Sequence, residues 1–329
     1  MKHLGAVLAI AGLALAVTLF AREDVGGIVA LVIAAGPGLV LAALFHALPM
    51  IANACAWRRL LPPAQRPRVR ILAWATWVRE SVNGLLPVAR IGGEIVAYRI
   101  VRRHVARRSD AAASLVADMA VSVLSQAGFA LLGLALLFAV GLTSTAITQL
   151  LAGVVGMIAL GAGFVLAQRA GALGALTRIL DRLFAGRLGL ARTQSLRLDQ
   201  ALRAVYARRR DIVACFAWQL GGWMLGAGEI WLALHFLGQQ RSVLDAVVIE
   251  ALIQAVSSAA FIVPGALGVQ EGAFVVIGTV LGIDASTALA LATARRLRDV
   301  VIFFPGLIGW QWAEMRVRSE RSASAPQSR

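Results

Sequence analysis

Long apolar runs separated by short charged stretches organise this chain from end to end. The first run covers 4–20 and the second 25–56, with Pro37 and Pro49 placed to kink it. Residues 110–140, 146–167, 211–237 and 286–312 repeat the pattern. Each approaches or exceeds the roughly 20 apolar residues that cross a bilayer as a helix. Two further apolar stretches are broken. Residues 71–86 and 94–101 flank one interruption, and 243–263 and 271–281 flank another. The second arm of each, about a dozen residues or fewer, is short for a span.

The two interruptions share a pattern. One reads Leu86-Pro87-Val88-Ala89-Arg90-Ile91-Gly92-Gly93-Glu94, the other Val263-Pro264-Gly265-Ala266-Leu267-Gly268-Val269-Gln270-Glu271. Each runs from a proline through glycine-containing chain to a glutamate. Pro264 lies 177 residues after Pro87, and Glu271 lies 177 after Glu94. Proline removes an amide donor and glycine permits positive φ, so such turns free backbone groups to face a ligand. Irregular backbone at membrane depth survives only where it is buried in protein or lines a wet cavity. Broken apolar segments at matching places in two halves point to a transporter-like binding site.

Charge sets the orientation. The connections at 58–70, 99–108 and 169–210 and the end of the chain are rich in arginine, whereas 22–24, 141–145 and 238–245 carry little. Positive-inside bias then places the basic connections and both termini in the cytoplasm. The parity works if 71–101 is a re-entrant hairpin from the cytoplasm and 243–282 is one from the outside. The expected architecture is an all-α polytopic membrane protein with an inverted-topology repeat, six full spans plus two hairpins. Residues 1–140 form the first repeat and 141–167 the first span of the second. Residues 168–210 form a basic cytoplasmic linker, 211–312 the rest of the second repeat, and 313–329 a disordered tail. Eight full membrane segments satisfy the same parity. In the linker, Leu173, Leu176, Ile179, Leu180, Leu183 and Phe184 share a helical face, as in an interfacial amphipathic helix. A second helical piece is expected near 198–206.

Composition agrees with this pattern. Hydrophobic residues make up 59% of the 329 residues, and the mean hydropathy is +0.78. Soluble domains sit near 45–50%. The net charge of +15 does not indicate nucleic acid. The basic residues cluster in the connections, where topology and anionic lipid account for them. Cys55 and Cys215 are isolated and imply neither a metal site nor a disulfide framework. Residues 2–20 resemble a signal peptide, but the topology needs them as a retained helix. No hydrolase elbow, P-loop, zincin helix or dinucleotide fingerprint is present, and no cofactor is implied. The longest connection is too short for a soluble catalytic domain.

Candidate chemistry lies in the charged residues inside apolar runs. Glu94 and Glu271 fall near the N-terminal ends of the helices leaving each turn, where a carboxylate is stabilised. Each either caps its helix or lines a site. Arg295-Arg296-Leu297-Arg298-Asp299 falls in the middle of the last span. A central Arg or Asp costs about 2.5–3.5 kcal/mol on insertion scales. These side chains therefore face the protein interior, pair with acids, or meet an anionic ligand, for which arginine suits. Candidate partners are Glu94, Glu271, Glu250, Glu229 and Asp118. Asp118 corresponds roughly, though not in strict register, to the 295–299 cluster. The candidate site comprises Asn83, Pro87, Gly92, Gly93, Glu94, Asp118, Pro264, Gly265, Gly268, Glu271, Arg295, Arg298 and Asp299. Glu229, His235 and Glu250 lie nearer the outer ends of segments and read as interfacial or locally hydrogen-bonded groups, and His46 as a buried structural histidine.

Several of these motifs resemble the membrane region of the lysylphosphatidylglycerol synthase and flippase superfamily. The first is Asn83-Gly84-Leu85-Leu86-Pro87 with Gly92-Gly93-Glu94 and Tyr98-Arg99; the second is the stretch 262–271. The 295–299 cluster is similar as well. Ile91-Gly92-Gly93-Glu94-Ile95-Val96-Ala97 most resembles the subgroup associated with bacterial hopanoid biosynthesis. The resemblance implies a lipid translocase fold with two re-entrant hairpins in a bacterial inner membrane. Members that make aminoacyl-lipids carry an additional soluble transferase domain, so synthase activity is not expected here. The expected function is a flippase moving hopanoids or another polar-headed lipid. Its partners would be membrane lipids, with anionic lipid at 169–210, no nucleic acid, and a homo-oligomer left open. The alternatives are a non-catalytic scaffold of a lipid-synthesis complex and an intramembrane lipid-modifying enzyme. For the enzyme, no nucleophile–base pair stands at readable spacing.

Overall fold

A computed structural model describes residues 2–86, 92–139, 189–259 and 266–323, with single positions 163, 166 and 263 besides. The described residues form helices and no strands. In the first half these are α1 (Lys2–Ala21), α2 (Val25–Ala35), α3 (Pro37–Phe45), α4 (Ala47–Leu60), α5 (Val69–Leu85), α6 (Gly92–Val101) and α7 (Arg108–Ala139). After them come α8 (Gly189–Ala207), α9 (Arg209–Phe236), α10 (Val243–Ala259), α11 (Val269–Val280) and α12 (Ala285–Ala323). Two stretches, Pro37–Leu60 and Arg108–Ala139, are long and apolar enough to cross a membrane. The expected span at 146–167 and the amphipathic face at 173–184 lie outside the described residues. So do both turns, at 87–91 and 264–265.

The second apolar run is cut where its prolines require. Gly36, at φ +46°, ends α2, and Pro37 opens α3. Pro49 has no N–H to offer the Phe45 carbonyl, so the helix is interrupted one turn earlier, at His46. The His46 N–H turns instead to the Ala43 carbonyl at 3.0 Å. A titratable side chain is thereby held at a break midway along a span-length segment.

α4 lies along α9, and α3 packs on both α9 and α12. α5 packs on α4, α6 and α12; α10 packs on α9, α11 and α7. Each first hairpin arm thus touches the long helix of the other half. α6 rests on α7, α11 on α12, and α1 on α11. The main core joins Leu39, Leu134, Ile230, Leu234, Ile249, Phe274 and Leu289. A second cluster seats the first hairpin, with Trp57, Leu72, Ala97 and Leu115. The outward faces are apolar too: Ile33 is 71% exposed, Val213 67% and Val276 58%. Water does not favour such a surface, whereas lipid does.

Two stretches differ in extent from the sequence reading. α8 contains the expected helical piece near 198–206 but begins earlier, at Gly189. α12 continues as helix to Ala323, so the tail read as disordered from 313 is helical through that residue. No glycine or proline follows Gly309 until Pro326, so nothing in the sequence stops the helix sooner. Arg208 fastens α9 under α4 by donating to the Leu60 and Leu61 carbonyls at 2.6 and 2.9 Å. These are carbonyls that the helix end leaves unpaired.

Candidate functional site

The first hairpin closes through its own side chains. Asn83, one turn after Arg79 on α5, accepts the Gly93 N–H at 2.9 Å and so caps α6 from the neighbouring arm. Its amide reaches Glu94 at 3.5 Å. A Cβ at position 93 would run into the Arg79 carbonyl and the Asn83 side chain, so only glycine allows this approach. Glu94 lies in the first turn of α6, where the helix dipole favours it.

Arg79 joins α5 to three other helices. It donates to Asp118 on α7 at 2.9 Å and lies 3.8 Å from Glu94. Its guanidinium sits over the Trp57 ring of α4, 5.6 Å from the centroid. Gln219 on α9 completes the set by donating to Asp118 Oδ1 at 2.8 Å, while its own oxygen accepts from Ser125 at 3.1 Å. One guanidinium thus serves two carboxylates, and Glu94 Oε2, buried, accepts no hydrogen bond among the described residues.

The second network surrounds the 295–299 cluster on α12. Arg295 clasps Glu250 of α10 with both terminal nitrogens, at 2.6 and 3.2 Å. Gln254 donates to the same carboxylate at 2.7 Å. Arg296 donates to Glu271 at 2.9 Å, and the other Glu271 oxygen accepts the Gly268 N–H at 2.7 Å. Glu271 therefore caps α11 and holds an ion pair at once. Gly268 has φ +73°, and a Cβ there would strike the Gly12 carbonyl of α1. Arg298 reaches Asp299 at 2.9 Å and Glu229 of α9 at 3.4 Å. His46 lies 2.7 Å from the same Glu229 oxygen. Three guanidiniums thus serve four carboxylates.

Arg295, Arg298 and Glu229 line a cavity of about 10 Å³ against Leu39, Ala42 and Ala294. That is room for about one water molecule, so the arginines are closed on their acids. Gln126 of α7 links this region towards the first network, donating to the Gln254 carbonyl at 3.0 Å and to Ser258 at 2.6 Å.

Of the expected site, Glu94 and Asp118 converge on Arg79, and Asn83 holds Gly93 and Glu94, with Gly92 opening α6. Glu271 takes Gly268 and Arg296, while Arg298 and Asp299 pair with each other and Arg295 takes Glu250. Pro87, Pro264 and Gly265 lie outside the described residues. Glu229 and Glu250 are not interfacial: they are 6% and 3% exposed and neutralise Arg298 and Arg295. Residues 229 and 298, like 250 and 295, are far apart in sequence, and only packing brings them together. Arg79 is visible in the sequence as a charge, with Glu80 and Asn83, inside the apolar stretch 71–86, and it shares a face with Asn83 four positions on; its partner Asp118 is not. His235 stacks on Trp231 and meets neither network. Among the described residues no group of acidic, histidine and cysteine side chains could hold a metal ion.

The family model for the lysylphosphatidylglycerol synthase TM region matches residues 4–309. No curated protein and no solved structure matches the chain.

Proposed function

The chain belongs to the lysylphosphatidylglycerol synthase TM-region family, and on that footing we propose that it is an inner-membrane lipid transporter. It is a helical membrane protein of a lipid-related family. The proposed cargo is a polar-headed lipid, with hopanoids among the candidates.

The observation that carries this reading is buried charge between the hairpins and the long helices. A helical bundle does not need it to fold, because apolar replacements of buried ion pairs are often neutral or stabilising. Intramembrane charges mark substrate paths and proton relays. A headgroup phosphate or hydroxyl would compete with Glu250, Glu229 and Glu271 for the arginines, for which the planar guanidinium fork suits. Each network also holds one carboxylate more than guanidiniums, Arg79 against Glu94 and Asp118 in the first. The surplus acid supplies a place for a proton when a headgroup displaces a partner.

Two re-entrant hairpins and an inverted repeat complete the proposal. In support, α6 and α11 have 10 and 12 residues. They rise about 15 and 18 Å, roughly half of a 30 Å hydrocarbon core. The crossed packing of α5 on α12 and α10 on α7 is the exchange that a two-fold axis between the halves generates.

The test is lipid movement in liposomes carrying the purified protein and headgroup-labelled lipid. Transbilayer movement is expected in the wild type and should fall in E271A and R298A. Unchanged rates in folded variants would overturn the proposal. Deleting 169–188 separates it from a scaffold role, which that deletion would abolish while transport persists.

A further inference from the structure

His46 is a titratable group inside the second network that the transport reading does not use. It stands at the α3–α4 break, 13% exposed at the side chain, with its ring edge-on to Phe303. Its Nδ1 lies 2.7 Å from Glu229 Oε2. Arg298 Nη1 lies 2.6 Å from Nδ1, 3.1 Å from Nε2 and 3.4 Å from the same Glu229 oxygen.

The proton inventory of these three groups is restrictive. An ionised carboxylate only accepts and a guanidinium only donates, whereas a neutral imidazole does one at each nitrogen. Nδ1 cannot both donate to Glu229 and accept from Arg298: with its proton given to Glu229, the acceptor left for Arg298 is Nε2 at 3.1 Å, and the 2.6 Å approach of Nη1 to Nδ1 sets two donors against each other. An imidazolium has no acceptor. Once Nε2 is protonated, Arg298 loses that contact and faces a cation, keeping only Glu229 and Asp299.

The charges that face His46 come from three elements. α9 contributes Glu229, α12 contributes Arg295, Arg298 and Asp299, and α10 contributes Glu250 through Arg295. Arg79 on α5 and Asp118 on α7, which also pack against α4, are committed to each other. Two guanidiniums and three carboxylates thus surround the ring, a net charge of −1 with neutral imidazole and zero with imidazolium.

We propose that His46 is a positioning residue for Arg298, and that its proton decides whether the guanidinium is held by the imidazole or released. Release frees one donor edge of Arg298 beside the closed cavity, towards a headgroup phosphate or hydroxyl. That consequence rests on the transport reading, but the contact itself does not.

The experiment uses the whole protein in nanodiscs with ¹⁵N-labelled histidine. The chain has four histidines, and H46Q identifies the His46 signal. At pH 8 the expected form carries its proton on Nδ1 with Nε2 accepting. R298Q should bind the second proton about three-fold or more tightly than wild type, and E229Q correspondingly less tightly. Because the two variants act in opposite directions, either alone is decisive if the other fails to fold. Superimposable titrations, or a proton on Nε2 at pH 8, would overturn the proposal. In liposomes the wild-type rate should follow the His46 protonation that the NMR titration reads, and H46Q should be flat. An active wild type with a flat profile would remove His46 from transport control. A wild type that moves no lipid at any pH would sink the transport reading, and the NMR titration would still decide the role of His46.

Discussion

Asp118 and Arg295 stand 177 residues apart, the same offset as the two prolines and the two hairpin glutamates, and each holds a buried ion pair of opposite sense. Asp118 receives Arg79 from the first hairpin at 2.9 Å, while Arg295 gives to Glu250 of the second at 2.6 Å. The register is closer than the sequence reading allowed. In both halves the long helix is pinned to the first arm of its hairpin by charge, with acid and base exchanged. Reversing the sign between halves keeps both pairs internal and discourages Arg79 from crossing to Arg295.

Removing one member of the Arg295–Glu250 pair leaves the other charged and buried. R295M and E250M are each expected to lower stability by about 3–5 kcal/mol. The double variant should recover most of that loss, because two apolar side chains replace two desolvated charges. Thermal unfolding in detergent, followed by tryptophan fluorescence, checks the cycle. Additive losses would show that the pair is not the source.

The clasp of the first hairpin depends on one side chain and one missing side chain. N83A removes the cap of α6 and is expected to cost about 1 kcal/mol. G93A should cost more, since its methyl meets backbone at Arg79 that cannot swing away. Hydrogen exchange along α6 reads both. G93A should lose protection throughout α6, and N83A mainly in its first turn.

Glu271 serves Arg296 with one oxygen and the Gly268 N–H with the other. E271Q retains an acceptor for the cap but loses the charge, whereas E271A loses both. Lipid movement should drop in both variants, while the melting temperature drops appreciably only in E271A. Equal melting losses would mean that the charge, not the cap, supports α11.

The re-entrant reading has a direct label test. In a C55A/C215A background, A89C falls between α5 and α6 in the sequence. A membrane-impermeant maleimide added outside intact cells should leave it unmodified, since a re-entrant turn does not reach that face. Ready labelling from outside would favour full spans.

The apolar runs, the two broken segments and the buried 295–299 charges were legible in the sequence because the hydrocarbon core sets the length of a span and penalises charge wherever it falls. The 177-residue offset was equally legible, being a property of linear order. Which acid meets which arginine was not. Glu250 and Glu229 stand among the five candidate partners but read as interfacial by position, and helix packing carries them inward onto Arg295 and Arg298. Arg79 takes Asp118 because packing brings these residues of α5 and α7 within reach, and His46 reaches Arg298 because Pro49 breaks the helix there. Sequence alone determined that charge must be buried in this protein, because desolvation is local to each residue. Only the tertiary structure decided the pairing, because a buried charge is neutralised by whatever the crossing helices bring within about 4 Å.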